Sequence, residues 1–182
     1  MPDETIILQT ISWIKSVVIG CNFCPFAAKA MLRKSIRYVV LRESNIRDVR
    51  KALVREMQFL DTEDSIETTL IILPDSFADF SQYLKLVRKA ELTIAKQGYE
   101  GIYQLASFHP DYRFAGTNND DPANYTNRSV YPILHILRES SISHAVDEYP
   151  DTDRIPDNNI AYAREKGIGY MQLLLADIAK ES

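Results

Sequence analysis

The chain has 182 residues, 46% of them hydrophobic, and a formal net charge of −4. This length and apolar content suffice for one core, so we expect a single globular domain over residues 1–182. The longest apolar run, residues 70–73, is too short to cross a bilayer, and two cysteines are too few for a disulfide framework. Without a recognisable secretory signal, these features predict a cytoplasmic protein with no membrane contact.

The charges are unevenly distributed along the chain. Residues 29–55 hold nine Lys/Arg against two Asp/Glu, whereas residues 108–157 hold nine Asp/Glu against four Arg. A basic stretch can indicate nucleic-acid binding, but this one has no interleaved aromatic residues and no glycine-rich loop. The pattern therefore favours a solvated basic face over nucleic acid. It also leaves open a non-enzymatic role, in which the segregated charges serve self-association or a protein partner.

The first part of the chain alternates helical and extended patterns. Five apolar residues recur at the spacing of a helix face: Ile7, Leu8, Ile11, Ile14 and Val18. Gly20 suits the end of that helix, and Pro25 suits the first position of a short second helix. β-branched and aromatic residues predict strands over 36–41 and 66–73, with a helix capped by Asn45 between them.

The next elements continue this alternation. A long helix is expected to begin at Asp75 or Ser76 and to end at Gly98. Residues 102–108 have the pattern of a third strand. The polar residues that follow, 109–127, predict an irregular segment.

The last third of the chain reads as mainly helical. Ser129 is a candidate cap for a helix over 130–146, and an acidic connector over 147–156 leads to one or two C-terminal helices. The predicted class is α+β, with a small sheet of three or four strands packed against several helices and a helical C-terminal part. A fourth strand would have to come from residues interpreted as loop.

Most candidate functional residues lie in segment 106–139. The irregular stretch 109–127 within it is nearly twenty residues long, which is uncommon for a loop in a compact domain. The aromatic residues of the segment argue against disorder, and ordered loops often carry functional residues. The alternative is a purely structural loop rich in Asx turns. In the functional interpretation, Arg128 and Arg138 hold the anionic group of a small molecule, although both could instead pair with local acids. Three residues would add neutral hydrogen bonds: Asn124, Asn127 and Tyr112.

Two histidines are candidates for acid–base chemistry. His109 ends the third strand, and His135 lies among apolar neighbours, where a buried ring needs a partner. On the predicted helix, Glu139 lies one turn after His135 and would orient it. Internal hydrogen bonding of either ring is the alternative. No further ligands have a diagnostic spacing, so we assign no metal site and identify no cofactor.

Cys24 is the candidate nucleophile, provided that it lies near one of the histidines. It precedes the expected start of the second helix, where the positive end of the helix would favour a thiolate. Its C-x-x-C spacing with Cys21 also suggests a thiol redox module. However, the motif follows a helix rather than a strand, and buried cysteines often act as small hydrophobic residues.

Four segments resemble those of an uncharacterised bacterial group: NFCPFA at 22–27, YQLASFHPDY at 103–112, NYTNRS at 124–129 and YPILHILRE at 131–139. Over essentially its whole length the chain resembles domain-of-unknown-function family 1415. The resemblance implies a soluble bacterial protein and no particular activity. The family's signature residues coincide with those that stand out chemically: Cys24, His109, Asn127, Arg128, His135 and Glu139. Val130 stands where the family pattern would have proline, which affects only the expected helix entry.

Overall fold

A computed structural model describes residues 1–142 and 152–180, and in that part of the chain four strands form one sheet flanked by helices. The strands are β1 (Ile36–Val40), β2 (Thr68–Ile72), β3 (Tyr103–Phe108) and β4 (Ile133–Arg138). The α-helices are α1 (Asp3–Trp13), α2 (Ala27–Leu32), α3 (Ile46–Thr62), α4 (Phe80–Lys96) and α5 (Ile155–Ala179). A π-helix spans Ile14–Ile19, and 3₁₀ turns span Pro122–Thr126 and Thr152–Arg154. The predicted α+β class is confirmed.

The sheet has the order β1-β2-β4-β3. β1 and β2 are parallel and are joined through α3, whereas β4 is antiparallel to both of its neighbours. The last strand in sequence therefore lies inside the sheet. In its register, His135 lies between Leu70 of β2 and Ala106 of β3.

The prediction of a helix over residues 130–146 is wrong for the part that the structure describes. Residues 133–138 are β4, and a helical turn begins only at residue 139, with 143–146 outside the described residues. Both faces of an interior strand are covered, so its apolar residues need not alternate with polar ones. A short apolar run of this kind fits a buried strand and a buried helix equally well. The fourth strand thus comes from residues interpreted as helix, not from the loop.

Ser129, the expected helix cap, has a different role. Its hydroxyl donates a 2.5 Å hydrogen bond to the carbonyl of Tyr131. Caps bond backbone N–H groups, so this contact orders the entry to β4 instead.

Two hydrophobic layers hold the sheet between helices. α3 and α4 cover one face through Leu53, Leu60, Tyr83 and Leu86, which pack with Ile71, Leu134 and Ile136. α1, the π-helix and α5 cover the other face through Trp13, Val17, Ala163 and Met171, which pack with Leu70, Ile72 and Ile133. The two faces of the sheet therefore have separate surroundings, and groups on opposite faces do not meet.

The predicted ends of the two long helices are partly confirmed. The side chain of Asn45 accepts a hydrogen bond of 3.0 Å from the backbone N–H of Asp48, as expected of a cap. α4 begins later than predicted, because Asp79 rather than Asp75 or Ser76 accepts the capping bond, 2.8 Å from the Gln82 N–H.

A tight turn follows the π-helix at Gly20 and Asn22. The N–H of Gly20 donates to the carbonyl of Lys15 over 3.0 Å, and a Cβ at Gly20 would lie 2.3 Å from the Ser16 carbonyl oxygen. Only glycine therefore fits so close to the Ser16 carbonyl oxygen. Asn22 then adopts a left-handed conformation with φ of 55°, so the chain folds back on the helix end.

α5 consists of two helical segments. Gly167 has φ of 79° and ψ of 164° within it, a conformation that residues with a Cβ rarely adopt. Met171 and Ile178 are buried, and Arg164 forms a 2.8 Å salt bridge with Asp121 of the 3₁₀ turn. Across residues 1–142 and 152–180, no helix has both the length and the apolar character needed to cross a membrane.

Candidate functional site

A cavity of about 800 Å³ lies against the sheet face that carries Leu70 and Phe108. Its floor is formed by Ile36, Thr68, Leu70, Ala106, Phe108, His135 and Leu137. Its walls are formed by Trp13, Ile14, Val18, Cys24, Pro25, Phe26 and Ala30. The π-helix therefore borders the cavity, and π-helical segments are frequent at functional sites.

His135 presents its ring in the cavity floor. Its Nε2 atom lies 2.6 Å from the hydroxyl oxygen of Thr68, and its ring centroid lies 6.2 Å from that of Phe108. Removal of the ring from water lowers the pKa of His135 to about 4, so the ring is neutral at pH 7. The expectation that this buried ring would need a polar partner is confirmed.

The predicted one-turn pairing of His135 with Glu139 is wrong, because the segment is a strand. Four residues span about 13 Å along a strand, instead of about 6 Å on a helix. The backbone N–H of Glu139 donates to the carbonyl of Ile102 over 2.9 Å, which continues the β3–β4 pairing.

Cys24 lines the same cavity as His135. α2 begins at Ala27 after Phe26, so the prediction that Cys24 caps this helix is wrong. Burial raises the pKa of the Cys24 thiol, although backbone N–H groups of Phe26 and Ala27 donate to its sulfur and partly offset this effect. Cys21 is buried in the hydrophobic layer of α1 and α5, where its thiol contacts Tyr162, so the two cysteines have different environments.

The rim of the cavity carries charged groups. Arg33 forms a 3.0 Å salt bridge with Glu67, and Lys29 lies beside it on α2. Arg138, Ala27, Ser141 and Ile142 also belong to the described lining. Its charged residues are therefore three cations, Lys29, Arg33 and Arg138, and one anion, Glu67.

His109 lies away from the cavity lining, among aromatic rings of α4. It is fully buried, its Nε2 donates a 2.9 Å hydrogen bond to the carbonyl of Phe77, and its Nδ1 accepts one of 2.9 Å from the Asp111 N–H. Its ring centroid lies 4.9 Å from that of Tyr83, which packs on the opposite face of the sheet. Burial lowers the pKa of His109, and both nitrogens are occupied.

Arg128 braces the irregular segment. Its guanidinium donates hydrogen bonds of 3.1 Å to the carbonyl of Tyr112 and 3.0 Å to that of Asn119. The same group lies 4.4 Å above the ring of Tyr125, at a distance typical of a cation–π contact. Its own carbonyl accepts a 3.0 Å bond from the indole N–H of Trp13.

Asn124 is fully buried and has partners at both ends of its amide. Its oxygen accepts hydrogen bonds from the Phe114 N–H at 3.0 Å and the Thr117 hydroxyl at 2.8 Å. Its NH₂ group donates to the carbonyl of Asn118 at 2.8 Å.

The other predicted ligand-binding residues also contact the protein itself. Asn127 donates to the carbonyl of Ser107 over 3.2 Å, and the ring of Tyr112 packs 5.5 Å from that of Phe80. The guanidinium of Arg138 donates to the carbonyls of Leu60, Glu63 and Ile66, where it satisfies the C-terminal end of α3.

The structure thus brings together only part of the predicted site. Cys24, His135 and Arg138 line the cavity. The other predicted site residues lie outside its lining: His109, Tyr112, Asn124, Asn127, Arg128 and Glu139. Sequence reasoning missed Thr68, the partner of His135. The signal that could have found Thr68 is a hydroxyl group inside the predicted strand 66–73. Within the described ranges, no group of three or more His, Cys, Asp or Glu is arranged to hold a metal ion.

Comparison with known proteins identifies the family. The family model described as "Protein of unknown function (DUF1415)" matches residues 5–172, so the chain belongs to this family. Neither the curated proteins nor the solved structures gave a match. The predicted resemblance is confirmed, and the family description assigns no activity to the protein.

Proposed function

We propose that this protein binds a small, largely apolar molecule in the cavity between the sheet and the N-terminal helices. The observation that carries the proposal is the cavity itself, with its volume of about 800 Å³. Ligand sites in proteins typically measure about 300–1,000 Å³ and combine apolar walls with a few convergent polar groups. Segment 106–139 contributes Ala106, Phe108, His135 and Leu137 to its floor, so the predicted functional segment takes part in the site.

The lining favours a ligand with an apolar body. Trp13, Phe26 and Phe108 supply aromatic surface, and aliphatic side chains provide much of the rest. Burying such a ligand would remove apolar area from water on both sides, which stabilises a complex by about 25 cal/mol per Å² before the losses of association.

The predicted anionic group of the ligand fits the rim better than the surroundings of Arg128. Lys29 and Arg33 lie at the rim, and a ligand carboxylate or phosphate could compete with Glu67 for Arg33. The guanidinium of Arg128 already donates to two backbone carbonyls.

Binding is better supported than thiol chemistry. A nucleophilic or redox cysteine reacts as a thiolate, and its pKa is usually lowered by a nearby cation or helix end. The Cys24 pKa is instead raised by burial, and the His135 ring is neutral at pH 7. In this proposal Cys24 is a contact residue of the ligand.

Filling the cavity tests the proposal. Ala106 lies in the floor, and replacing it by tryptophan (Ala106→Trp) would occupy much of the space above β3. Ala161→Trp is the matched control, because Ala161 is exposed on α5 and is not part of the lining. With the neutral apolar dye Nile red as probe, we expect saturable fluorescence with wild type and Ala161→Trp, and at least tenfold weaker binding by Ala106→Trp.

Two results would contradict the proposal. One is Nile red binding of equal strength by Ala106→Trp and wild type, with both proteins folded by circular dichroism. The other is no saturable binding by wild type at all.

A further inference from the structure

The hydroxyl of Thr68 contacts two groups at once in the cavity floor. Its oxygen lies 2.5 Å from the carbonyl oxygen of Ile136 and 2.6 Å from Nε2 of His135. Both distances are short enough for hydrogen bonds, so the donors and acceptors must be consistent with each other.

A hydroxyl has one proton to donate, and a carbonyl oxygen can only accept. The proton of Thr68 therefore points to Ile136, and the Thr68 oxygen accepts from the imidazole. It follows that Nε2 of His135 carries the hydrogen. In a neutral imidazole with a protonated Nε2, Nδ1 has a lone pair and no hydrogen.

Nδ1 of His135 has surface open to the cavity. No described residue makes a hydrogen bond to this atom. Among the described residues, the only fully buried side-chain N or O atom without a partner is Oγ1 of Thr69, so Nδ1 is not sealed inside the protein. Because His135 lines the cavity, the accessible lone pair faces the space that a ligand would occupy.

We infer that the ligand of this cavity carries a hydrogen-bond donor, such as a hydroxyl or N–H group, that meets Nδ1 of His135 at the sheet floor. This inference rests on the proposed function and adds the chemical class of the ligand. A carboxylate or ether oxygen at this point would place two lone pairs against each other. An anionic group, if the ligand has one, would meet the lining cations Lys29 and Arg33.

The other groups around the ring do not supply this donor. The hydroxyl of Thr68 donates its proton to the carbonyl of Ile136, and the side chains of Phe108 and Leu70 are apolar. The Cys24 sulfur accepts two backbone N–H groups, and within the described residues no hydrogen bond joins its S–H to His135. The deprotonated nitrogen is therefore the distinctive polar feature of the floor.

Two aromatic probes that differ at one group test the inference. 2-Naphthol has a hydroxyl donor, whereas 2-methoxynaphthalene has the same ring system and only an acceptor. Wild type should bind 2-naphthol at least about fivefold more tightly than 2-methoxynaphthalene, which is the ratio expected for one hydrogen bond. His135→Phe keeps an aromatic ring but removes both ring nitrogens, and with them the acceptor, so the two affinities should become equal.

A second measurement does not depend on any ligand. The carbon chemical shifts of the His135 ring distinguish its two neutral tautomers by NMR, and His135→Gln assigns the signal. We expect the tautomer with Nε2 protonated in wild type, and a mixture of tautomers in Thr68→Val, where the hydroxyl that selects it is removed.

The outcomes separate this inference from the proposed function. Three results overturn the inference while Nile red binding still supports the cavity. They are equal binding of both probes by wild type, a preference for 2-naphthol that persists in His135→Phe, and a ring proton on Nδ1. If wild type binds neither the naphthalenes nor Nile red, both proposals fail together.

Discussion

The role of Asn124 can be tested by a change of a single atom. Asn124→Asp keeps the side-chain shape but turns the NH₂ group, which donates to the Asn118 carbonyl over 2.8 Å, into a carboxylate oxygen. Two oxygens without a proton would then face each other at a position that is fully buried. The bonds from the Phe114 N–H and the Thr117 hydroxyl would remain.

The expected loss of unfolding free energy is about 3 kcal/mol at pH 7. A lost buried hydrogen bond contributes about 1–3 kcal/mol, and a buried charge adds to this, partly offset by stronger bonds to the remaining donors. Asn119→Asp is the matched control in the same segment, with the same change in charge. Its side chain is exposed beside Arg113, so we expect a change within about 0.5 kcal/mol.

Urea denaturation of both variants measures this difference directly. The loss in Asn124→Asp should shrink as the pH falls, because the introduced carboxyl, once protonated, can donate to Asn118 again. Equal stability of the two variants at pH 7 would refute the reasoning, since it would mean that the Asn124 amide is not a structural brace.

Two further predictions concern the cavity. The contribution of His135 to the unfolding free energy should fall by about 3 kcal/mol as the pH drops from about 6.5 to 4, because the unfolded chain binds a proton at His135 that the folded state, with its pKa of about 4, does not. This contribution is the difference between the pH profiles of wild type and His135→Gln, and identical profiles would contradict it. Alkylation of the Cys24 thiol in a Cys21→Ser background should accelerate only at a pH above that of a free cysteine, because burial raises its pKa, and should slow further with Nile red bound. A titration near the free-cysteine value of about 8.5 would show that Cys24 is not buried in this way.

Elements with a distinct local pattern could be predicted from the sequence. Alternation of strands with amphipathic helices placed β1, α3, β2 and β3 close to their observed bounds. β4 could not be recognised, because it has a strand on either side and helices against both faces of the sheet. Neither face of such a strand is polar, so its sequence does not alternate between polar and apolar residues. In the first helix the element was predicted but its buried face was partly misassigned. Leu8 is 63% exposed, whereas Ile6 and Trp13 are buried.

The candidate site was only partly predictable for a different reason. Arg128 and Asn124 have the chemistry to bind a ligand, but the carbonyls of Tyr112, Asn118 and Asn119 become their partners once the segment folds. An irregular segment that is partly buried must satisfy its backbone groups, and nearby polar side chains commonly do so. The residue types alone do not distinguish this role from recognition of a guest.

His135 shows which kind of sequence argument survives a wrong secondary structure. The requirement that an imidazole among apolar neighbours must find a partner depends on burial, not on whether the segment is a helix or a strand. The predicted pairing with Glu139 required a helix, so it was wrong once the segment proved to be a strand. The actual partner, Thr68, lies 67 residues away in sequence, and the antiparallel register of β2 with β4 brings it to the ring. Because that partner is a hydroxyl already bonded to a carbonyl, it also selects the tautomer, and so the chemical character of the cavity floor follows from the same burial constraint.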